Sequence, residues 1–155
     1  NEARMLKELN AHGIGPRFIG YEHGRLVRGF VEGKRIEEFL VECAPEEAKS
    51  VMRQSLDQCK VMDDLGINKQ EMTHPYKHIL VTEEGKAVMI DFERCRHTEK
   101  PKNVTQFCQY IARLEEKLGW NGVVVDGEEA KELGKRYKQE GYDDEVFEKL
   151  KSLFD

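Results

Sequence analysis

The stretch HPYKHILVTEEGKAVMIDFERC, His74–Cys95, decides the fold. Two short apolar runs within it, Ile79–Val81 and Ala87–Ile90, flank the charged segment Thr82–Lys86. The segment contains a glycine where a tight hairpin favours positive φ, and both runs contain the β-branched residues that suit a pleated strand. The pattern therefore predicts a β-hairpin that ends at Asp91, whose carboxylate can hold a metal ion or cap a turn.

The composition indicates one folded domain with a well-solvated, acidic surface. Of the 155 residues, 39% are hydrophobic and 35% are charged, which is enough for one sizeable core. The net charge of -5 argues against broad attraction to nucleic acid or to anionic membranes, although a local patch of Arg94, Arg96 and Lys100 could bind phosphate. Four widely spaced cysteines without a C-x-x-C pair favour a reducing, cytoplasmic compartment.

Helical periodicity and helix start and stop signals predict six helices, at about Glu2–His12, Arg35–Glu42, Glu46–Leu65, Asn103–Leu118, Gly127–Gln139 and Asp143–Phe154. Strand-like runs at Phe18–Tyr21 and Arg25–Val31 predict another hairpin. Asn103 and Gln106 resemble a capping box at the start of their helix. Ile67–Lys77 has no clear period and is predicted to be a loop, and loops ahead of rigid strands are common sites of chemistry.

This order of elements resembles a protein kinase from its αC helix through its catalytic lobe, closest to the small archaeal atypical kinases of the Rio and related types. Glu2, in Glu2-Ala3-Arg4, resembles the helix glutamate that pairs with the ATP-contacting lysine. Leu26–Gly33 resembles the hinge, and Asp91-Phe92-Glu93 stands where the family has Asp-Phe-Gly. The resemblance implies an α+β, protein-kinase-like fold whose first N-lobe strands are lacking.

Under this resemblance, residues 1–33 are a remnant of the N-lobe, containing the αC helix, two strands and the hinge, and residues 34–155 are a mostly helical C-lobe. The family's glycine-rich loop and strand lysine would lie before Asn1, so we expect this chain to be a fragment of a longer protein. ATP binding by the fragment alone is then expected to be weak. Apolar surface where the absent strands would pack predicts self-association.

The resemblance also implies a site for ATP and magnesium. Asp91 is the implied magnesium ligand, and Gly29 and Phe30 of the hinge are implied to contact the nucleotide. Leu80 falls where the family places an apolar side chain under the adenine ring, although core packing explains it equally well. Lys77 is an implied phosphate contact, with a solvated surface lysine as the alternative.

The predicted catalytic loop departs from the family pattern of His-x-Asp followed by Asn. With a slightly lengthened loop, Glu71 replaces the aspartate and His78 replaces the asparagine; without the insertion, Thr73 takes the acid's place and no base remains. Glu71 and Glu2 are the implied catalytic residues. The carboxylate of Glu71 can accept a proton or orient a hydroxyl. His78 can ligate a metal through a neutral imidazole, although magnesium prefers oxygen. Glu71 and His78 can equally be ordinary polar loop residues.

Two functions follow from the resemblance. The first is a serine/threonine kinase-like phosphotransferase, active in the full-length parent on a protein or small-molecule acceptor. The second is a catalytically degenerate pseudokinase that binds a protein partner, which the departures at Arg28, Glu71 and His78 favour. A third hypothesis, a transition-metal site of His74, His78 and His97, is disfavoured because the proline after His74 would break a helix that carried the first two.

Overall fold

The computed structural model describes all residues of the chain, Asn1–Asp155, and its fold is α+β, as predicted. The helices are α1 (Glu2–Asn10), α2 (Ile36–Leu40), α3 (Pro45–Asp64), α4 (Asn103–Trp120), α5 (Gly127–Gln139) and α6 (Asp144–Lys151), followed by a 3-10 turn at Ser152–Phe154. The strands are β1 (Phe18–Glu22), β2 (Arg25–Arg28), β3 (Lys34–Arg35), β4 (Ile67–Asn68), β5 (Ile79–Val81), β6 (Ala87–Met89) and β7 (Arg96–His97).

The hairpin predicted from His74–Cys95 is confirmed. Strands β5 and β6 pair antiparallel, with Ile79 opposite Met89 and Val81 opposite Ala87. Gly85 in the turn has a φ of 80°, which glycine adopts without steric cost. The side chains of the strand ends are buried and those of the middle residues are half-buried, so one face of the hairpin packs on the core.

The hairpin acquires a third strand that the sequence did not predict. Lys34 and Arg35 form β3, which pairs with β5 opposite Val81 and Leu80. Gly33 makes this approach possible, because a Cβ there would collide with the backbone carbonyl of Val81. The segment predicted as the hinge is thereby held against the hairpin.

Helix α3 fixes the hairpin from the other side. The Gln54 side chain donates to the carbonyl of Gly85 at 2.9 Å and accepts from the backbone N–H of Ala87 at 2.9 Å. Gln58 donates to the Ala87 carbonyl at 2.9 Å. Three hydrogen bonds from one helix face therefore set the position of β6, which leads directly to Asp91.

One hydrophobic core of 36 buried residues connects the helices and the hairpin. Helix α1 contributes Met5, Leu6 and Leu9 to it, so the predicted N-lobe remnant shares its core with the remainder of the chain. Ile19 and Tyr21, on one side of β1, are exposed. No helix is both long enough and apolar enough to cross a membrane.

Three local predictions were wrong. Ile67–Lys77 is not wholly a loop, because its first two residues form β4 and pair with β7. The predicted strand Arg25–Val31 ends at Arg28. Asn103 does not cap α4: it is the first helical residue, and its side chain bonds to residues distant in sequence. A two-residue strand and a long-range amide contact leave no periodic signal in the sequence.

Candidate functional site

The candidate site lies where the hairpin ends, at Asp91. This residue follows β6 with a φ of 65°, a left-handed conformation that non-glycine residues seldom adopt. Its side chain is half exposed, whereas the next residue, Phe92, is buried in the core. The buried phenylalanine fixes the backbone while the carboxylate stays accessible to solvent.

The buried side chain of Lys69 fixes the backbone of Asp91. It is only 2% exposed, and its ammonium donates to the Asp91 carbonyl at 2.7 Å. The same ammonium lies over the Phe92 ring, 4.9 Å from its centroid, where the ring face attracts a cation. Burial lowers the pKa of Lys69 because water no longer solvates its charge. Lys69 could not be singled out from the sequence, because a lysine in a polar loop is ordinarily a solvated residue.

Glu71, His78 and Asp91 form one connected group. An Oε2 atom of Glu71 lies 2.9 Å from Nε2 of His78, and the other nitrogen of that ring, Nδ1, lies 3.7 Å from Oδ2 of Asp91. The second Glu71 oxygen accepts from the Arg94 guanidinium at 2.9 Å. Thr73 makes no hydrogen bond to these side chains. Of the two alternatives for the acid of the loop, Glu71 is therefore the residue that the fold brings to the site.

The loop backbone has to bend sharply to present Glu71. Gln70 and Glu71 have φ values of 65° and 60°, two successive left-handed residues. Such conformations cost free energy and persist when the surroundings hold them. On the other side, the carbonyl of His78 accepts from Ile90 N–H at 2.9 Å, which extends the hairpin pairing by one step. The two strand ends thus place His78 beside Asp91.

The imidazole of His78 is partly buried, and this controls its charge. Burial has the largest effect and lowers the pKa of His78, and the neighbouring Lys69 ammonium lowers it further. The carboxylates of Glu71 and Asp91 raise this pKa, but by less. The ring is therefore neutral at neutral pH. Its Nδ1 atom is buried and has no hydrogen-bond partner.

The loop is anchored to α4 by a buried polar network. Asn103 accepts from the backbone N–H of Lys69 at 2.9 Å and donates to the carbonyl of Ile67 at 2.7 Å and to Asp63 at 2.9 Å. Asp63 also accepts from the Tyr137 hydroxyl at 2.9 Å. Burial raises the pKa of Asp63 despite these donors. The network fixes the chain immediately before Glu71.

Glu2 reaches the site from the first turn of α1. Its Oε2 atom accepts from the backbone N–H of Phe92 at 3.1 Å. Asn1 adds bonds from its amide to the carbonyls of Glu93 and Cys95, at 3.2 and 3.0 Å. The start of α1 therefore holds the segment that follows Asp91.

The predicted nucleotide contacts are more dispersed. Phe30 is 89% exposed, and Gly29 donates to the Arg17 carbonyl at 2.7 Å. The Lys77 ammonium lies over the Tyr76 ring at 5.4 Å instead of contacting the carboxylates. Leu80 lies half-buried on β5. A cleft of about 430 Å³ opens beside the hinge segment, but none of the predicted contacts lines it; its lining is Glu32, Gly33, Lys34, Phe39, Val81, Thr82 and Glu83.

The histidines do not form a shared metal site. No group of three or more His, Cys, Asp or Glu side chains is placed to hold a metal ion. His74 faces Glu37 at 3.7 Å and His97 faces Glu8 at 3.0 Å, each apart from His78. The hypothesis of a site made of all three histidines is therefore wrong.

The donor set fits magnesium only in part. Magnesium binds proteins through one or two carboxylates, and phosphate oxygens and water complete its coordination. The half-exposed carboxylate of Asp91 fits that requirement, whereas the ring nitrogen of His78 is a poor magnesium ligand. No known family model and no curated protein matches this chain.

Proposed function

We propose that this chain is part of the catalytic lobe of an ATP-dependent phosphotransferase of the protein-kinase type. The acceptor is a hydroxyl of a protein or of a small molecule, and the implied cation is magnesium. The observation that supports the proposal is the convergence of Glu71, His78 and Asp91 at the end of the β5–β6 hairpin. An accessible carboxylate on a rigid support is what a cation that binds phosphate requires.

The charges around Asp91 suit phosphoryl transfer, which depends mainly on positioning and on electrostatic stabilisation. Asp91 would hold the cation, which neutralises charge on the transferring phosphate. Lys69 fixes the Asp91 backbone at 2.7 Å, and Glu2 fixes that of Phe92 at 3.1 Å. Both residues therefore position the carboxylate without contacting the substrate.

In this proposal Glu71 orients an acceptor hydroxyl, and its two oxygens at present accept from His78 and Arg94. The Arg94 side chain is largely exposed, so its ion pair is the weaker constraint. Release of Arg94 frees one oxygen of Glu71 for a substrate. Exposed Arg94 is then available to a phosphate oxygen.

The alternative is a binding module in which the site no longer catalyses transfer. The engagement of both Glu71 oxygens favours it, because a general base needs a free lone pair directed at its proton. The exposure of Phe30 also favours it, since an adenine pocket would cover this ring. A partner protein bound equally well by wild type and by Asp91→Ala would support the module.

Titration of the ¹⁵N-labelled chain with ATP, with and without Mg²⁺, tests the proposal. Amide spectra detect weak binding and report where it occurs. We expect shifts at Gly29, Phe30 and Leu80, and Mg²⁺-dependent shifts at Asp91. Asp91→Asn should remove the Mg²⁺ dependence.

Asp57→Asn is the matched control, because the Asp57 side chain is 50% exposed against 49% for Asp91 and lies on α3, where it pairs with Lys151. It should leave the titration unchanged. Shifts that avoid the hairpin end, or a Mg²⁺ response that survives Asp91→Asn, would rule out the proposed site.

A further inference from the structure

The two ring nitrogens of His78 face two carboxylates, and this determines which nitrogen carries the proton. The Glu71 carboxylate only accepts hydrogen bonds, so Nε2, at 2.9 Å from it, carries the hydrogen. In the neutral ring Nδ1 is then a bare lone pair. That lone pair is buried, has no donor, and lies 3.7 Å from Oδ2 of Asp91.

Two acceptors at this separation repel each other unless a cation lies between them. A proton on Nδ1 would gain no hydrogen bond there, because no acceptor lies within hydrogen-bond distance of this atom. The spacing fits a metal ion, because ligand atoms about 2.1 Å from one ion are about 3.0 Å apart when cis and about 4.2 Å when trans. The observed 3.7 Å lies between these limits.

We propose that Nδ1 of His78 and Oδ2 of Asp91 bind one first-row divalent transition-metal ion in preference to Mg²⁺, with Glu71 orienting the imidazole. The inference deepens the proposed function, since it rests on the same site and changes the cation expected to accompany ATP. Phosphate oxygens or water complete the coordination, so two protein donors suffice.

The role of Glu71 follows from how histidine ligands are held in metalloproteins. A ligating histidine usually donates its other N–H to a carboxylate, which fixes the ring and raises its basicity. Glu71 provides that carboxylate, and Arg94 holds it at 2.9 Å. A nitrogen donor favours transition ions, whereas magnesium selects oxygen. Glu71 is in this arrangement a positioning residue.

The test is Mn²⁺ titration of the metal-free 155-residue chain, with nitrogen coupling in the pulsed electron paramagnetic resonance spectrum as the readout. We expect one bound Mn²⁺ coupled to an imidazole ¹⁴N, and no displacement by a tenfold excess of Mg²⁺. His78→Asn should abolish the ¹⁴N coupling and remove the preference for Mn²⁺ over Mg²⁺. Glu71→Gln should weaken Mn²⁺ binding by about 10- to 100-fold, as for other carboxylates behind a histidine ligand.

His97→Asn is the matched control, because His97 also contacts a glutamate, Glu8, at 3.0 Å but lies apart from Asp91. It should bind Mn²⁺ as wild type does. The inference is overturned if Mn²⁺ does not bind, binds without nitrogen coupling, or binds no more tightly than Mg²⁺. Failure of ATP to bind would overturn only the proposed function, and Mg²⁺–ATP binding without Mn²⁺–nitrogen coupling would overturn only this inference.

Discussion

Replacing Asn103 with alanine removes the side chain that ties the segment Ile67–Glu71 to α4. Asn103 is fully buried. Its side-chain amide accepts a hydrogen bond from Lys69 N–H at 2.9 Å and donates to the Ile67 carbonyl at 2.7 Å and to Asp63 at 2.9 Å. Alanine removes the side-chain partner of the Lys69 N–H and of the Ile67 carbonyl, and one of the donors to Asp63, which keeps the backbone N–H of residue 103 and the Tyr137 hydroxyl. We therefore expect both a loss of stability and a loosened Lys69–Glu71 segment.

The magnitude follows from the kind of each bond. A neutral intramolecular hydrogen bond contributes about 1 kcal/mol and one to a charged group about 1.5–3 kcal/mol, so two neutral bonds and one to Asp63 total about 4 kcal/mol. A domain of this size has a free energy of unfolding of about 5–15 kcal/mol, so the variant should still fold but with a much smaller free energy of unfolding. The positive-φ residues Gln70 and Glu71 should relax first, since they depend on their surroundings.

Urea unfolding followed by circular dichroism measures the free energy, and amide spectra measure the loop. Asn121→Ala is the matched control, because Asn121 also donates to two backbone carbonyls, those of Leu40 and Cys43, but makes no hydrogen bond to the segment Ile67–Glu71. It should cost about 1–2 kcal/mol and leave the Lys69–Glu71 amides unshifted. A loss below about 1 kcal/mol for Asn103→Ala, or equal loop shifts in the two variants, would refute the anchoring role.

Three further predictions concern the surrounding groups. Tyr137→Phe removes a hydrogen-bond donor to Asp63, and burial already raises the pKa of that carboxyl. We expect the free energy of unfolding to fall by about 1.5–3 kcal/mol at pH 7. Loss of this donor raises the pKa of Asp63 in the native variant above that in native wild type, so the variant gains the proton at a higher pH. The deficit should therefore shrink as pH falls toward 4 in urea titrations, and a constant deficit would contradict this. Lys69→Met should raise the pKa of His78, followed by imidazole ¹⁵N titration of the metal-free protein, because the Lys69 charge lowers it; an unchanged or lower pKa would count against this coupling. Cys43, the one cysteine that is not buried, should be alkylated first in the native protein, and equal labelling of all four by mass spectrometry would contradict their burial.

Elements with a strong local pattern were predictable from the sequence. The hairpin follows from two apolar runs around a glycine-containing turn, and α3 follows from its periodic apolar face and the proline at its first position. Helix α4 was predicted for the same kind of reason. In each case neighbouring residues carry the information.

Features that depend on distant partners could not be predicted. Asn103 matched a local capping pattern, yet its partners Asp63, Ile67 and Lys69 lie 34–40 residues away. Lys69 is charged, so its burial beneath Asp91 contradicts the usual expectation for a lysine. Such positions are set by tertiary packing.

The sequence singled out candidate residues but not their geometry. The sequence left open whether Glu71 or Thr73 approaches the site, and the fold brings Glu71 to His78. The fold brings Nδ1 of His78 within 3.7 Å of Oδ2 of Asp91, while the Lys77 ammonium lies over the Tyr76 ring. Function as a phosphotransferase stays a proposal.

The most direct measurement is an anomalous difference map from crystals soaked with Mn²⁺ and a non-hydrolysable ATP analogue. We predict a single strong peak within bonding distance of Nδ1 of His78 and Oδ2 of Asp91, with phosphate density beside it. A peak elsewhere, or a nucleotide bound away from Asp91, would contradict the assignment of the hairpin end as the cation and phosphate site.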